Sequence, residues 1–349
     1  MNQIKISHPI NEFITFNSGS FTQIVGNNKE LKNHIYRSFN WYFSGKKYSE
    51  NDLSLFQQKE LEIRENGVLL SRSDCHLISL QYIGDFIEQM SYKKGSLAYE
   101  YLRKISESVD FAMELEKINH SLTKIATLLN QEIDFKNCQF VYGVDNIDLT
   151  SQHIISKYLV PTYSFENLSI SFEWLNSDLI YHLFFDMLES YLSFKTDKLL
   201  LICQGIDAKV SFEHYQEICQ QIKRMCQTFP YFKVILFPSN SSYIDMDPKY
   251  MESVVVVADG IENFYEADFM YERYKRNYPT NYPMSQNEFL RSLARIGDNL
   301  FSSKKITESM AFQDLISLKI INQLYHYSTP KINQIVPSKM ELAYLFSSN

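Results

Sequence analysis

The segment most restrictive of fold is residues 198–237. Residues 199–203, LLLIC, form a short run of apolar residues with no polar interruption, the signature of a strand buried on both faces. Residues 211–228 then place Phe212, Tyr215, Ile218, Ile222 and Met225 at helical spacing, and residues 232–237 return to a buried-type strand. Strand, helix of about five turns and strand make a parallel crossover unit, which needs a sheet covered by helices. The fold class is therefore α/β. The rest of the sheet is separated from this unit in the chain. Short strands are expected at 3–7, 13–16 and 21–25, and the third runs into a helix carrying Leu31, Ile35, Phe39 and Tyr42 on one face. Asn66-Gly67 between two apolar runs is a hairpin signal, and residues 254–258 supply a further strand.

Between these halves the pattern turns helical. Residues 76–92 read as one amphipathic segment. A second begins near Ser96 and keeps apolar residues three and four apart from Leu102 to Leu129, about 50 Å if unbroken. It can project as a leg or fold back as a hairpin on the main domain. Helices are expected to continue from 149 to 193. The domains expected are thus a split head at 1–74 and 194–266, a helical region at 75–193 and a C-terminal extension at 267–349, with helices at 286–300 and 306–327. The boundary at 267 is drawn on composition. Residues 267–349 hold ten basic and seven acidic residues, net +3, so within a total of −7 residues 1–266 carry −10.

The 349 residues suit about two domains. No signal-peptide pattern opens the chain, and no apolar run approaches spanning length, so a cytoplasmic protein without membrane contact is expected. Five cysteines without a Cys-x-x-Cys pair read as reduced, buried thiols.

Ten glycines and nine prolines are about half the usual share, leaving few positions for phosphate-wrapping loops. The loop Gly26-Asn27-Asn28-Lys29-Glu30-Leu31-Lys32 stands where a P-loop belongs, after a strand and opening a helix. It lacks the second glycine and the Lys-Ser/Thr pair, and the strand 199–203 closes in Gln204-Gly205 without a Mg²⁺-directing acid. Gly26, Lys29 and Lys32 therefore form a degenerate phosphate loop. The alternative is a P-loop-type ATPase or kinase with Lys29 or Lys32 on nucleotide phosphates. No histidine pair has metal-ligand spacing, and there is no Gly-x-Ser-x-Gly elbow; Asp245, Asp247 and Asp259 are the sparse acids that could meet a hard cation. Basic residues cluster at Lys46-Lys47, Lys93-Lys94, Arg103-Lys104, Arg273/Lys275/Arg276 and Lys304-Lys305. Each is by default a solvated surface, but symmetry in a ring multiplies any patch facing the axis. The tyrosines of 271–282 leave a third alternative, a protein-interaction scaffold without DNA contact.

In this order of elements the chain resembles the fourth adaptation protein of type II-A CRISPR–Cas systems, the one encoded beside the integrase pair and the RNA-guided effector nuclease. The resemblance rests on ITFNSGSFTQIVGNNKELKN, on the sheet split around a helical insertion, and on KLLLICQGIDAKVSFEHYQEICQQIKRMCQTFPYFKVILFPSNSSYID. It covers residues 1–266, and 267–349 then mark the long subtype. The resemblance implies a degenerate P-loop-NTPase-like head, a helical leg and a mostly helical C-terminal extension. It further implies a homotetrameric ring that threads double-stranded DNA from its ends without cutting it, in spacer acquisition, with the integrase pair and the effector nuclease as partners. The DNA-binding residues expected are Lys93, Lys94, Arg103 and Lys104, then Lys46 and Lys47, with Arg273 and Lys275 from the extension. No cofactor is otherwise called for. Short members of the family hold calcium through an acidic stretch of the leg; the comparable Glu132-Ile133-Asp134-Phe135-Lys136 is thinner in acids.

Overall fold

The computed structural model describes residues 1–45, 47, 49–55, 60–132, 141–144, 151–166, 168–306 and 309–328. The chain divides into two compact units, Met1–Gln81 with Asp197–Asn349, and Tyr82–Thr196.

The first unit is built on a six-stranded sheet. Its strands are β3 (Phe21–Val25), β6 (His76–Leu80), β9 (Leu199–Gln204), β10 (Phe232–Phe237), β11 (Val254–Val257) and β12 (Ile261–Asn263), in the order β12-β11-β3-β10-β9-β6. All neighbours are parallel except β11 and β12. The crossover from β9 to β10 runs through α8 (Phe212–Thr228), as the sequence dictates. A second, antiparallel sheet joins β1 (Asn2–His8), β2 (Glu12–Ser18), β4 (Ile63–Glu65) and β5 (Val68–Leu69). Its β4–β5 turn holds Asn66 at φ 52° and Gly67 at φ 82°, the left-handed pair that a two-residue hairpin needs.

The four valines of β11 show how the sheet is buried. Val255 and Val257 join Ile24, Ile202 and Ile235 in a core closed by the antiparallel sheet and by α1 (Lys29–Phe43), through Ile35 and Phe39. Val254 and Val256 face the other way, into a core supplied by α9 (Ala267–Asn277), α10 (Gln286–Ile296) and α11 (Phe312–Leu324). The period of two sends alternate residues to opposite layers, so a run of four valines is fully buried. The charge shift at 267 is a surface property. Met270, Tyr274, Phe289, Leu293 and Ile321 of that segment pack on the same sheet, and each such fully buried side chain contributes roughly 1.5–3 kcal/mol.

In the second unit, α3 (Ile83–Met90) packs on α7 (Ser177–Phe194), with Phe86 edge-on to Tyr181 and Phe184 at centroid distances of 4.6 and 5.0 Å. The unit also holds α4 (Leu97–Ser106), α5 (Val109–Gln131), α6 (Ser151–Tyr158) and the hairpin of β7 (Thr162–Phe165) with β8 (Leu168–Ser171). None of the residues of α5 is buried.

Three segments depart from the sequence-based expectation. Residues 76–80, expected to open a helix, form β6, because the exposed edge of β9 accepts all five in register. The long helix breaks at Glu107–Ser108, where the Ser108 hydroxyl accepts from Phe111 N–H and starts a new helix. Thr162–Phe165 and Leu168–Ser171 pair as antiparallel strands within a stretch expected to be helical. α2 (Glu50–Leu55) lies in the first unit beyond α1. No helix among the described residues is long and apolar enough to cross a membrane.

Candidate nucleic-acid interface

The loop that follows β3 is closed by the protein itself. Gly26 lies at φ 102°, and a Cβ there would stand 2.3 Å from the Val257 carbonyl oxygen. Its glycine is thus demanded by the close approach of β11, a need independent of any phosphate. Asn28 caps α1, its side-chain oxygen accepting from Leu31 N–H, while its backbone N–H donates to Val257 O and its amide to Ala258 O. Asn27 donates to the Ser302 hydroxyl, and Asp259 accepts from Ser303 N–H, so residues after α10 reach the same loop. The backbone N–H and the side-chain amide of Asn28 therefore already have partners within the protein.

Lys32 is half-buried one turn into α1, and burial lowers its pKa, against the opposing charges of Asp298 and Asp207 and with help from Lys29. Asp207 is itself buried. Burial raises its pKa, although its carboxylate accepts from the backbone N–H groups of Ser239 and Asn240 at 2.9 Å, clasping the turn after β10 to the turn after β9. Where a hydrolase would carry an acid at the end of β9, Gln204 accepts from the Gln81 amide. The sequence signal for Asp207 was slight: a lone acid two residues past a strand-ending glycine.

Asp245, Asp247 and Asp259 do not assemble. The Lys223 ammonium occupies the place a cation would take, at 2.7 Å from Asp245 and 2.9 Å from Asp247. Burial opposes the charge on both Lys223 and Asp247, but their hydrogen bonds prevail, raising the Lys223 pKa and lowering that of Asp247. A depressed carboxylate contributes stability that is complete above its ordinary pKa of 3.8 and is lost as pH falls below it. In urea titrations, the wild-type chain is expected to lose about 1 kcal/mol more than Asp247→Asn as pH falls below that value. Equal acid losses in the two chains would remove the pair from the account of stability. Among the described residues no group of three or more His, Cys, Asp or Glu could hold a metal ion. Of the acidic stretch considered for calcium, Glu132 is described, and residues 133–136 lie outside the described residues.

The basic candidates divide between the units. In the second unit Lys93 and Lys94 sit in the turn before α4, with Lys93 paired to Glu88, while Lys94 is exposed and has no partner among the described residues. Arg103 lies about two turns along α4, exposed and 2.7 Å from Glu107; the Lys104 side chain lies outside the described residues. In the first unit Lys47 is exposed and Lys46 lies outside the described residues. On α9, Arg273 stands 5.2 Å over the Phe269 ring, and Lys275 pairs with Glu272 and stands 5.0 Å over Tyr271. The pairs of Lys93, Arg103 and Lys275 are solvent-exposed, so water and salt screen them and each cation yields to a phosphate.

The profile of the family described as CRISPR-associated protein Csn2, subfamily St, matches residues 6–346. The chain belongs to that family. It is 36% identical to the solved Stu0660 of Streptococcus thermophilus, with a TM-score of 0.86 over 99% of this chain and 100% of that one. Two solved structures match with much lower scores. The SMC head bound to the C-terminal winged-helix domain of ScpA is 13% identical, with a TM-score of 0.37 over 68% of this chain and 89% of that one. The ADP form of the ABC-transporter cassette MJ1267 is 11% identical, with a TM-score of 0.33 over 70% and 85%. No curated protein matches. Membership in the Csn2 family places the chain in CRISPR adaptation and agrees with the resemblance read from its order of elements.

Proposed function

We propose that this Csn2-family chain closes into a homotetrameric ring that takes double-stranded DNA through its ends, independently of sequence and without cutting it, in the cytoplasmic acquisition of CRISPR spacers. The observation that carries the reading is the family match across residues 6–346. The loop after β3 supports the non-catalytic part, because both donors of Asn28 are committed to Val257 and Ala258. On this reading the first unit is a degenerate P-loop-like head, Tyr82–Thr196 is the leg, and the integrase pair and effector nuclease are its partners. The exposed apolar positions of α5 support assembly of several copies through the leg.

A ring makes every lining cation count four times, and each phosphate neutralised adds about 0.9 to the slope of log affinity against log salt. Lys94→Ala, which removes an exposed and unpaired ammonium, is expected to flatten that slope by about 3 to 4 on linear DNA. Gel shifts across a salt series measure it. Binding of equal strength to linear and covalently closed circular DNA would overturn entry through ends.

A further inference from the structure

The turn between β1 and β2 is held by a ring nitrogen. His8 closes β1, and its Nδ1 accepts from the backbone N–H of Ile10 at 3.2 Å and from that of Asn11 at 3.1 Å. A nitrogen that accepts two N–H groups carries no proton, so His8 is neutral here with its proton on Nε2. These bonds shape a turn that leads into Glu12 at φ 57°, a left-handed conformation that few residues with a Cβ adopt. Packing adds little, since Asn11 and Glu12 are exposed and Ile10 is 86% exposed. Nothing in the Csn2 reading uses this turn.

The surroundings of His8 favour the neutral ring. On α1 the His34 ring meets it edge-on at a centroid distance of 4.8 Å, and His34 Nε2 donates to Ser7 O. Glu30 and Arg37 lie on the adjoining turns of α1. On β2, Glu12 is the register partner of His8; beside β1, Glu62 donates its backbone N–H to the Ser7 hydroxyl and its carboxylate pairs with Arg64. Of these groups His34 is the one that bears on the His8 charge: burial first, then His34, hold the His8 pKa below its ordinary 6.5. Burial lowers the pKa of His34 as well, against the pull of the Ser7 carbonyl. Two imidazoles this close do not both take a proton cheaply.

We propose that this turn is a proton-operated latch: protonation of His8 converts its acceptor into a donor, expels the Ile10 and Asn11 N–H groups together and frees the turn while both strands stay paired. The strands hold because β1 pairs with β2 and β4 and buries Ile4 and Ile6. A histidine with a lowered pKa in the folded chain is neutral above 6.5, so the latch is closed there and opens as pH falls below that value. The proposal does not depend on DNA binding. It is tested by amide hydrogen exchange on the full chain, resolved to single residues by fragmentation mass spectrometry, with each rate divided by the intrinsic rate at the same pH. Protection of Ile10 and Asn11 is expected to follow the neutral fraction of His8, falling about tenfold for each pH unit below its pKa, while the paired amides of Ile4 and Ile6 keep theirs. His8→Asn, whose amide oxygen can accept near the place of Nδ1 and takes no proton in this range, is expected to hold the protection level across pH; His8→Leu is expected to lack it at every pH. Protection in the wild-type chain that ignores pH would overturn the proposal. So would an equal acid loss in His8→Asn, or full protection in His8→Leu.

Discussion

Gly26→Ala is expected to lower the unfolding free energy by about 3 to 4 kcal/mol. Two costs add. At φ 102° an alanine pays about 1–2 kcal/mol for a left-handed conformation. Its methyl carbon would also stand 2.3 Å from Val257 O and 2.8 Å from Val257 N, both backbone atoms of a strand paired on each side. Those atoms move only if β11 moves, and β11 lies in two cores at once. Gly67→Ala separates the contributions, since Gly67 has φ 82° but nothing within 4 Å of its would-be Cβ. That variant is expected to lose only the conformational part, about 1–2 kcal/mol. Urea unfolding of the two variants measures the difference. If they lose equal stability, the contact with Val257 does not explain the glycine, and a phosphate requirement at this loop regains its standing.

How much of this was legible in the sequence follows from where the deciding interaction lies. β9, α8 and β10 were readable because each carries its period within its own residues, and α10 announces its start through the Ser285–Glu288 capping box. β6 was not, because HLISL is too short to separate a period of two from one of 3.6, and the edge of β9 decides. The break between α4 and α5 rests on Ser108, one polar residue in an otherwise continuous helical pattern. The boundary drawn at 267 followed charge, which reports what faces water, whereas Tyr274 and Phe289 report what the segment packs against. In the site, the missing second glycine is what gave the expectation of a degenerate phosphate loop. That Val257 and Ala258 accept from Asn28 depends on a strand some 230 residues away. Of the ion pairs, Arg103–Glu107 and Glu272–Lys275 were open to reading at helical spacing; the Lys223 cluster was not, since Asp245 and Asp247 arrive from a loop after β10.

The apolar face of α5 leads to the second large effect. Leu115, Ile118, Leu122, Ile125 and Leu129 recur at intervals of three, four, three and four, the seam of a helix that meets another helix. In the single chain Ile118, Leu122, Ile125 and Leu129 are 41%, 38%, 53% and 51% exposed. Among the described residues none of the 23 in α5 is buried, and on the proposed ring a second copy would cover this seam. Leu122→Glu combined with Ile125→Glu places four charges across a paired seam of two copies while touching no core of the chain. The double variant is expected to keep the wild-type circular dichroism and thermal midpoint, to run as a smaller species in light scattering, and to bind linear DNA at least about 100-fold more weakly. The last figure is the avidity forfeited when several sites on one strand become separate binding events. A variant that remains tetrameric would place the assembly contact elsewhere than on α5. A variant that loses the tetramer yet binds linear DNA as the wild type does would sink the ring itself, because phosphate contacts made by a lone subunit then suffice.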